Sequence, residues 1–408
     1  MNAVYAILAL GALPAAVEVL KRKLRVPREL LRKAVHIGDG LFAAALPLFL
    51  SFSTIAGIGL LFAGLMSLSR RWRILTAVHE TDRRTYGEIL YPLGIALLAT
   101  LYPHWRPYVF GALVVALADG LAALVGIRFG RRRLPGGKSV WGSATFLAIS
   151  TAAASAVLLA ADAAVPTALA TAVFAATLLV VVEAALRDGL DNLVLPPLAG
   201  FLIGTSVTPS LVAGSLYLMA PVVVAGVVHG VVIKNDLFPR LARPLDGGRI
   251  LHGRPLFGAN KTWRGLVVMT LVTTLVVYAQ RALASHGTFQ SVGALDYRAT
   301  SALGLGIALA LGYSLAELPN SFVKRRLGIV PGALSPSRAI VQYLVDQADS
   351  AIGVGLALLL FVRDPDLLAL VFVCGLAVHV VVDRLFYALG VKKGPPAFHA
   401  GSAVAETT

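Results

Sequence analysis

The chain has 408 residues, of which 57% are hydrophobic and 14% are charged, against roughly 25% charged residues in an ordinary soluble domain. Its long apolar runs exclude a soluble globular protein and predict an all-α polytopic membrane protein. The net charge of +15 falls between these runs, where the positive-inside rule and anionic ligands explain it better than binding of nucleic acid does.

A membrane-spanning helix needs roughly 20 apolar residues, and this rule predicts about 13 spans. The first apolar run, Met1 to Leu20, has no preceding basic residue and no clear cleavage site, so we expect a retained span and not a signal peptide. The predicted spans lie near residues 2–20, 38–51, 52–68, 88–102, 108–127, 141–161, 165–186, 193–206, 211–233, 263–280, 299–318, 343–362 and 367–387.

The basic loops set the expected orientation of these spans. If the N-terminus lies outside, all of them fall on the cytoplasmic side, whereas the opposite connections are short and nearly uncharged. We therefore expect an N-out, C-in protein of the cytoplasmic membrane, with its active sites facing the cytoplasm. The basic loops are Lys21 to Lys33, Arg70 to Arg84, Arg128 to Lys138, Lys234 to Arg264 and Lys324 to Arg338.

Two of these loops resemble each other: FGRRRLPGGKSVWGS, Phe129 to Ser143, and GRILHGRPLFGANKTWRG, Gly248 to Gly265. Both are basic, contain Gly and Pro, and have Lys-Ser or Lys-Thr near a Trp as a helix begins. Two spans follow each loop, with an acid near the end of the second and then an Asp-amide pair. These are Glu183 and Asp191-Asn192 in the first case, and Glu317 and Asp346-Gln347 in the second.

This recurring order predicts two parallel repeats with a seam near residues 205–210. The corresponding domains are residues 1–207 and 208–390. We expect residues 391–408 to form a disordered cytoplasmic tail.

A Gly-rich basic loop that opens a helix suits a phosphate group, because backbone N–H groups and the helix N-terminus face the anion. Lys138 beside Gly137 and Ser139, and Lys261 beside Thr262, would each add a positive charge there. The alternative is that both loops only contact lipid headgroups and set the topology.

Carboxylates at the ends of membrane spans are costly and are usually functional. Asp119, Glu183, Glu317, Asp346 and Asp349 lie towards the cytoplasmic ends of predicted spans, and the last two share a helical face. Mg²⁺ requires hard oxygen ligands beside substrate phosphates, so these positions predict a magnesium site. For any one acid, an ion pair with a nearby Arg is the alternative.

His36, in the stretch RKAVHIGDG, could be a general base or a phosphate contact, and an interfacial histidine without a function is the alternative. Lys324, Arg325 and Arg326 suit the phosphates of a nucleotide or an anionic lipid, or serve the topology alone. No histidine pair has metal-ligand spacing, and the single Cys374 excludes a thiolate metal cluster, so a zinc site is not expected.

Residues 211–390 resemble the CDP-archaeol synthase family, within the wider group of CTP-dependent phosphatidate cytidylyltransferases. The matching stretches are NDLFPRLARPLDGGRILHGRPLFGANKTWRG, SFVKRRLGIVPG and DQADSAIG (Asn235–Gly265, Ser321–Gly332 and Asp346–Gly353). One position departs from the family, which has Gly-Asp before the Ser-Phe-x-Lys-Arg-Arg element. This chain has Ala316-Glu317, and the Glu keeps the charge but reaches farther.

Residues 25–205 resemble the phytol and dolichol kinase family of CTP-dependent lipid-alcohol kinases. The matching stretches are RKAVHIGDG, RRTYGEILYPLG, ADGLAALVGIRFGRRRLPGGKSVWGS and, after Glu183, DGLDNLVLPP (Arg32–Gly40, Arg83–Gly94, Ala118–Ser143 and Asp188–Pro197). The two families are thought to be distantly related, which agrees with the repeat.

The resemblances imply a bifunctional enzyme that uses CTP, Mg²⁺ and membrane lipids. In the C-terminal half, an oxygen of a lipid phosphate would attack the α-phosphorus of CTP, releasing pyrophosphate and forming a CDP-lipid. In the N-terminal half, a lipid hydroxyl would attack the terminal phosphorus of CTP or another nucleoside triphosphate, with Asp119 or His36 as proton acceptor. The first product could then be the substrate of the second reaction.

The expected site residues fall into one set for each half. In the C-terminal half they are Lys261, Glu317, Asp346 and Asp349 for catalysis, the three acids also for metal, and Asp246, Gly247, Gly248, Thr262, Trp263, Arg264, Ser321, Lys324, Arg325 and Arg326 for phosphates. In the N-terminal half they are Asp119 and Lys138 for catalysis, Asp119, Glu183 and Asp191 for metal, and Arg32, Lys33, His36, Gly137 and Ser139 for phosphates.

Two other functions remain open on the sequence. Only one half could be catalytic, with the other a structural partner. A transporter of an anionic lipid or nucleotide would also have repeats and charges within its spans, although here the charges cluster at the cytoplasmic ends. No nucleic-acid partner is expected, a homodimer is an open alternative, and the sequence does not identify the lipids.

Overall fold

The chain folds almost entirely into α-helices in a computed structural model, which describes residues 2–23, 28–72, 85–134, 138–186, 189–204, 208–284, 295–330 and 339–388. The predicted all-α class is therefore confirmed. The chain divides into two compact units, Met1–Pro209 (unit 1) and Ser210–Thr408 (unit 2).

In unit 1, a π-helical turn, Val114–Asp119, joins two helices into one continuous rod and carries Asp119 as its last residue. Such turns are rare and occur frequently at functional sites. The helices of unit 1 are α1 (Ala3–Lys23), α2 (Arg28–Ala45), α3 (Phe52–Arg71), α4 (Gly87–Leu101), α5 (Trp105–Leu113), α6 (Gly120–Phe129), α7 (Val140–Leu159), α8 (Val165–Ala185) and α9 (Leu190–Gly204).

In unit 2, a long loop after the first helix contains a 3₁₀ turn, Pro239–Leu241, and a short antiparallel hairpin. The hairpin strands are β1 (Ile250–Leu251) and β2 (Arg254–Pro255). The helices of unit 2 are α10 (Pro209–Lys234), α11 (Trp263–Leu283), α12 (Ala302–Arg326), α13 (Ala339–Leu358) and α14 (Pro365–Ala388).

Eight helices in the described part of the chain are long and apolar enough to cross a membrane. Three shorter apolar helices accompany them, Ala3–Val19, Gly87–Leu101 and Leu190–Gly204. The predicted count of 13 spans and their orientation stay predictions. One predicted span, 38–51, differs from the structure: α2 begins at Arg28 and ends at Ala45, because the amphipathic stretch before the apolar run joins the same helix.

Close backbone contacts fix the helices that carry the polar residues. A Cβ added to Gly353 in α13 would lie 2.0 Å from the carbonyl oxygen of Gly312 in α12. Likewise, a Cβ at Gly94 in α4 would lie 2.2 Å from the carbonyl oxygen of Asn192 in α9. Glycine is therefore required at both positions, and the two helix pairs approach closely within one turn of Asp349 in α13 and beside Asp191 in α9.

Candidate active sites

Each unit has a basic loop that leads into a helix, and the two loops share their backbone hydrogen bonds. Before α7, the N–H of Leu134 donates to the carbonyl of Lys138 at 2.8 Å. Before α11, the N–H of Leu245 donates to the carbonyl of Lys261 at 2.8 Å. Both lysines therefore stand at the same position of a closed loop.

The residue after each lysine caps the following helix. The hydroxyl of Ser139 accepts a hydrogen bond from the N–H of Gly142 at 2.9 Å, and that of Thr262 accepts one from Gly265 at 3.3 Å. These caps fix where α7 and α11 begin and so direct their remaining N-terminal N–H groups towards the loop. Such an N-terminus beside a lysine is suited to bind a phosphate group.

The loop of unit 2 is longer than that of unit 1, and Asp246 shapes the additional segment. Its carboxylate accepts hydrogen bonds from the N–H groups of Gly248 at 2.8 Å and Phe257 at 2.9 Å. Burial alone would raise the pKa of Asp246, but these backbone N–H groups outweigh that effect and lower it. Gly247 and Gly248 have φ values of 61° and 77°, which glycine adopts readily.

Arg326, at the end of α12, holds the hairpin in this segment. Its guanidinium donates to the carbonyls of Leu251 at 2.5 Å, Arg254 at 3.1 Å and Pro255 at 2.6 Å. The sequence analysis predicts that Arg326 and Asp246 both bind phosphate. In the structure, their side chains bind the loop's own backbone.

In unit 1, Lys138 reaches two acids on the helices that follow it. Its Nζ lies 2.5 Å from Glu183 Oε1 in α8 and 3.3 Å from Asp191 Oδ2 in α9. Burial would lower the pKa of Lys138, but the charges of Asp191 and Glu183 outweigh it and raise the pKa. Glu183 is 3% exposed, and its Oε2 has no hydrogen-bond partner within the described ranges.

A second buried cluster lies around Asp119, at the end of the π-helical turn. Lys33 Nζ in α2 is 2.7 Å from Asp119 Oδ2, and His36 Nε2 is 3.4 Å from the same oxygen. His36 Nε2 also lies 2.9 Å from the carbonyl oxygen of Val115, to which it donates. All three charged or titratable side chains are less than 10% exposed. Arg32, the residue directly before Lys33 in α2, pairs instead with Glu29 one helical turn earlier, at 2.5 Å.

These two clusters of unit 1 adjoin each other through their carboxylates. One oxygen each of Asp119, Glu183 and Asp191 lies within 4.8 Å of the other two. Three hard oxygen donors at this spacing, one of them with an unpartnered carboxylate oxygen, fit a Mg²⁺ ion.

In unit 2, each of two lysines pairs with an acid. Lys261 Nζ donates to Glu317 Oε2 in α12. Lys324 Nζ, two turns farther along α12, lies 2.5 Å from Asp346 Oδ1 in α13. The link from the loop lysine to the acid of the second following helix is thus the same as that between Lys138 and Glu183.

Asn320 joins the two aspartates of α13. Its Nδ2 donates to Asp346 Oδ1 at 2.6 Å and to Asp349 Oδ2 at 2.7 Å. An amide that donates to both carboxylates holds them side by side and compensates their mutual repulsion. Tyr313, one turn before Glu317 on α12, interacts with that acid and with Ser350 through its hydroxyl.

The remaining expected residues of unit 2 differ in exposure. Arg325 is only 7% exposed, and its Nε and Nη1 have no hydrogen-bond partner within the described ranges, so it can still bind an anion. Ser321 is buried, whereas Trp263 is 47% exposed.

Arg264 Nη1 pairs with Asp236 Oδ1 at 2.7 Å. In unit 1, Gly137 lies outside the described residues.

Comparison with known proteins places unit 2 in a family. The family model for CDP-archaeol synthase (CarS-like) matches residues 209–395. CDP-archaeol synthase from Halorubrum lacusprofundi is 35% identical over 153 residues, which are 38% of this chain and 83% of that protein. The chain belongs to the CDP-archaeol synthase family. CDP-archaeol synthase from Sulfolobus acidocaldarius is 28% identical over 162 residues, which are 39% of this chain and 86% of that protein.

The N-terminal region has a different relative. Phytol kinase from Synechocystis is 41% identical over 130 residues, which are 30% of this chain and 55% of that protein. The chain therefore spans about half the length of this relative. Both resemblances expected from the motifs are confirmed, and no solved structure matches the chain.

Two residues that contact the acids of unit 2, Asn320 and Tyr313, were not among the site residues predicted from the sequence. A signal for both was present: they lie three residues after and four residues before Glu317, on the same face of α12. Neither is charged, so a search for carboxylates and cations passes over them.

Proposed function

We propose that the protein is a membrane enzyme with two CTP-dependent active sites. Unit 2 transfers CMP from CTP to a lipid phosphate and releases pyrophosphate. Unit 1 phosphorylates a lipid alcohol. The corresponding domains are residues 1–207 and 208–390, followed by a tail.

The observation that carries this proposal is the recurrence of one arrangement in both units. A loop lysine stands beside a capped helix N-terminus and pairs with an acid of the second following helix. Membership in the CDP-archaeol synthase family supports CMP transfer as the reaction of unit 2. The similarity to phytol kinase supports phosphorylation of an alcohol as the reaction of unit 1. We infer that the two units are parallel repeats.

In unit 2, Lys261, Lys324 and Arg325 supply positive charge for the phosphates of CTP and of the lipid. An oxygen of the lipid phosphate forms a bond to the α-phosphorus, and the bond from that phosphorus to the bridging oxygen of the β-phosphate breaks. The electron pair leaves with pyrophosphate. Such a transfer needs positioning and charge neutralisation rather than covalent catalysis.

In unit 1 the nucleophile is a neutral hydroxyl, which must lose a proton as it attacks the terminal phosphorus. The buried Asp119 carboxylate and the His36 imidazole lie 3.4 Å apart and either can take it. Asp119 lies in the helical rod that precedes the basic loop of unit 1. The helix that precedes the basic loop of unit 2 is α10, Pro209–Lys234, and it contains no Asp or Glu. This difference agrees with the proposed substrates, because a lipid phosphate is already ionised and needs no proton acceptor.

The acids of unit 1 have the spacing that suits Mg²⁺, and Asp119, Glu183 and Asp191 would hold it there. In unit 2, where no three acids of the described residues show this spacing, we propose that Glu317, Asp346 and Asp349 would hold it. When bound, the ion neutralises the negative charge that develops on the phosphoryl oxygens.

We further propose that both sites face the cytoplasm, because the basic loops that carry Lys138 and Lys261 follow the positive-inside rule. CTP is a cytoplasmic nucleotide, so the orientation and the co-substrate agree. A homodimer is compatible with this arrangement.

The direct test gives purified protein labelled CTP and Mg²⁺ with a panel of diacyl, archaeal-type and prenyl lipid alcohols and lipid phosphates, and identifies products by mass spectrometry. We expect CDP-lipid and pyrophosphate from a lipid phosphate, and a lipid phosphate from an alcohol. Absence of CDP-lipid across the panel would overturn the assignment of unit 2. Turnover in detergent, where no gradient exists, decides against a transporter.

A further inference from the structure

Unit 1 contains a cavity between α1, α2, α3 and α4. Most of its wall is aliphatic or aromatic, with Leu10, Ile55, Ile58 and Phe62 among the lining residues. A wall of this kind excludes water and favours an apolar ligand. None of the residues assigned above to phosphate or metal binding, apart from Arg32 and His36, lines it.

One part of the wall is polar and contains His36, Asp39 and Tyr91. The rings of His36 and Tyr91 stack with their centroids 4.5 Å apart. The hydroxyl of Tyr91 is buried and has no hydrogen-bond partner in the described part of the chain. A buried hydroxyl without a partner is costly, so this group is suited to bind a polar atom of a ligand.

The polar part of the cavity adjoins the carboxylate cluster of unit 1. His36, which lines the cavity, lies 3.4 Å from Asp119 Oδ2 through its Nε2. Asp119 belongs to the three-carboxylate group that fits a metal ion. A ligand atom held between His36 and Tyr91 would therefore lie beside the phosphoryl-transfer site.

We propose that this cavity binds the lipid alcohol of the N-terminal reaction, with its aliphatic chain along the apolar wall and its hydroxyl at Tyr91 and His36. This assignment rests on the proposed kinase function of unit 1. The substrate class is a neutral alcohol with a long aliphatic chain.

Met66 and Leu65 are consecutive residues of α3 that provide a matched pair of variants. Met66 lines the cavity, whereas Leu65 is 42% exposed and is not part of its wall. Met66→Trp should narrow the cavity, while Leu65→Trp adds the same bulk to the same helix outside it. Tyr91→Phe removes only the unpartnered hydroxyl.

The first measurement is labelling of the full chain in detergent with a long-chain alcohol that carries a photoreactive diazirine near the end of its chain. We expect cross-links to map to the segment 55–66 and to fall about tenfold in Met66→Trp but not in Leu65→Trp. Cross-links that map to other segments, or equal labelling of both variants, would overturn the proposal. This readout needs no turnover, so it tests the cavity even if unit 1 proves not to be a kinase.

The second measurement is steady-state kinetics of alcohol phosphorylation. Tyr91→Phe should raise the KM for the alcohol about tenfold and leave the KM for the nucleotide unchanged, because only the alcohol loses a hydrogen bond. An unchanged KM for the alcohol would overturn the placement of its hydroxyl. If labelling maps to the cavity and no alcohol is phosphorylated by any nucleoside triphosphate, the cavity assignment stands and the kinase function of unit 1 fails.

Discussion

Lys138 and Lys261 occupy the same position in two loops with the same backbone hydrogen bonds. The carbonyl of each lysine accepts from a leucine, Leu134 or Leu245, at 2.8 Å. Each lysine pairs through Nζ with an acid of the second following helix. The two positions are therefore equivalent in the fold of their units, and a substitution can be compared directly between them.

The first prediction uses this equivalence. Lys138→Met should reduce phosphorylation of the lipid alcohol by about 100-fold or more while leaving CDP-lipid formation intact, and Lys261→Met should do the reverse. The physical reason is the loss of the positive charge that faces the phosphates at one helix N-terminus only. Product formation by both reactions is measured by mass spectrometry for each variant.

A stability measurement separates this effect from unfolding, since Lys138→Met leaves the buried Glu183 without its lysine and Lys261→Met does the same to the partly buried Glu317. Lys138→Arg and Lys261→Arg keep the charge and serve as controls, with melting temperatures measured in the same detergent. If both methionine variants abolish the same single reaction, the assignment of one reaction to each unit is wrong.

The second prediction concerns Asn320, which positions the two aspartates of α13. Asn320→Ala should weaken Mg²⁺ binding by about 10- to 100-fold, because Asp346 and Asp349 lose the amide that holds them side by side. The measurement is the Mg²⁺ concentration for half-maximal CDP-lipid formation. Asn235→Ala is the matched control, since Asn235, directly after α10, donates through its amide to the carbonyl of Val231 at the end of that helix. An unchanged Mg²⁺ requirement would refute the positioning role.

The order of motifs along the chain was sufficient to predict the all-α class and the two related loops, and to select the loop lysines and the acids of each unit as candidates. These features could be predicted because charged residues are rare in apolar helices, and each one therefore stands out. The pairing of Lys138 with both Glu183 and Asp191 could not be predicted, because it depends on how α8 and α9 pack beside the loop.

The contacts of Asp246 and Arg326 also could not be predicted from the sequence. Both lie in motifs typical of phosphate binding, yet one accepts from backbone N–H groups and the other donates to hairpin carbonyls. The residue type and position are compatible with either role. The backbone contacts depend on the path of the loop between Leu245 and Lys261, and the phosphate roles of both residues stay predictions.

The third prediction concerns Glu317, which stands where the resemblance to CDP-archaeol synthases leads us to expect Asp. Glu317→Asp shortens the side chain by one methylene and withdraws its carboxylate from Lys261, so we expect CDP-lipid formation to fall by up to about 100-fold. Glu317→Gln keeps the length and removes the charge, and should lower activity at least as much. Wild-type activity in the Asp variant would show that the contact with Lys261 is not needed.

The fourth prediction concerns Asp119. Asp119→Asn should reduce alcohol phosphorylation by about 100- to 10,000-fold and leave CDP-lipid formation unchanged, because it removes a carboxylate that only unit 1 contains at this position. The double variant Lys33→Met/Asp119→Asn removes both buried charges and controls for folding. Asp162→Asn, on an exposed loop of the same unit, should have no effect. Residual kinase activity near wild type in the double variant would contradict a direct role of Asp119.

The fifth prediction is a pH dependence of the loop in unit 2. The pKa of Asp246 is lowered in the folded loop, so its contribution to loop stability is fully present above the usual aspartate pKa of about 3.9 and is lost as the pH falls through the lower folded value. The hydrogen-exchange protection of the Phe257 amide, corrected for the intrinsic rate at each pH, should therefore be constant from about pH 8 to 5 and fall only below about pH 4.

Asp246→Asn should lower this protection at all pH values and remove its acid dependence, because the amide cannot change its charge. Asp296→Asn is the matched control, since Asp296 also accepts from backbone N–H groups, those of Arg298 and Ala299, but outside this loop. Protection of Phe257 should be the same in this control as in the unaltered chain. Acid-dependent protection that persists in Asp246→Asn would show that another group, and not this carboxylate, holds the loop closed.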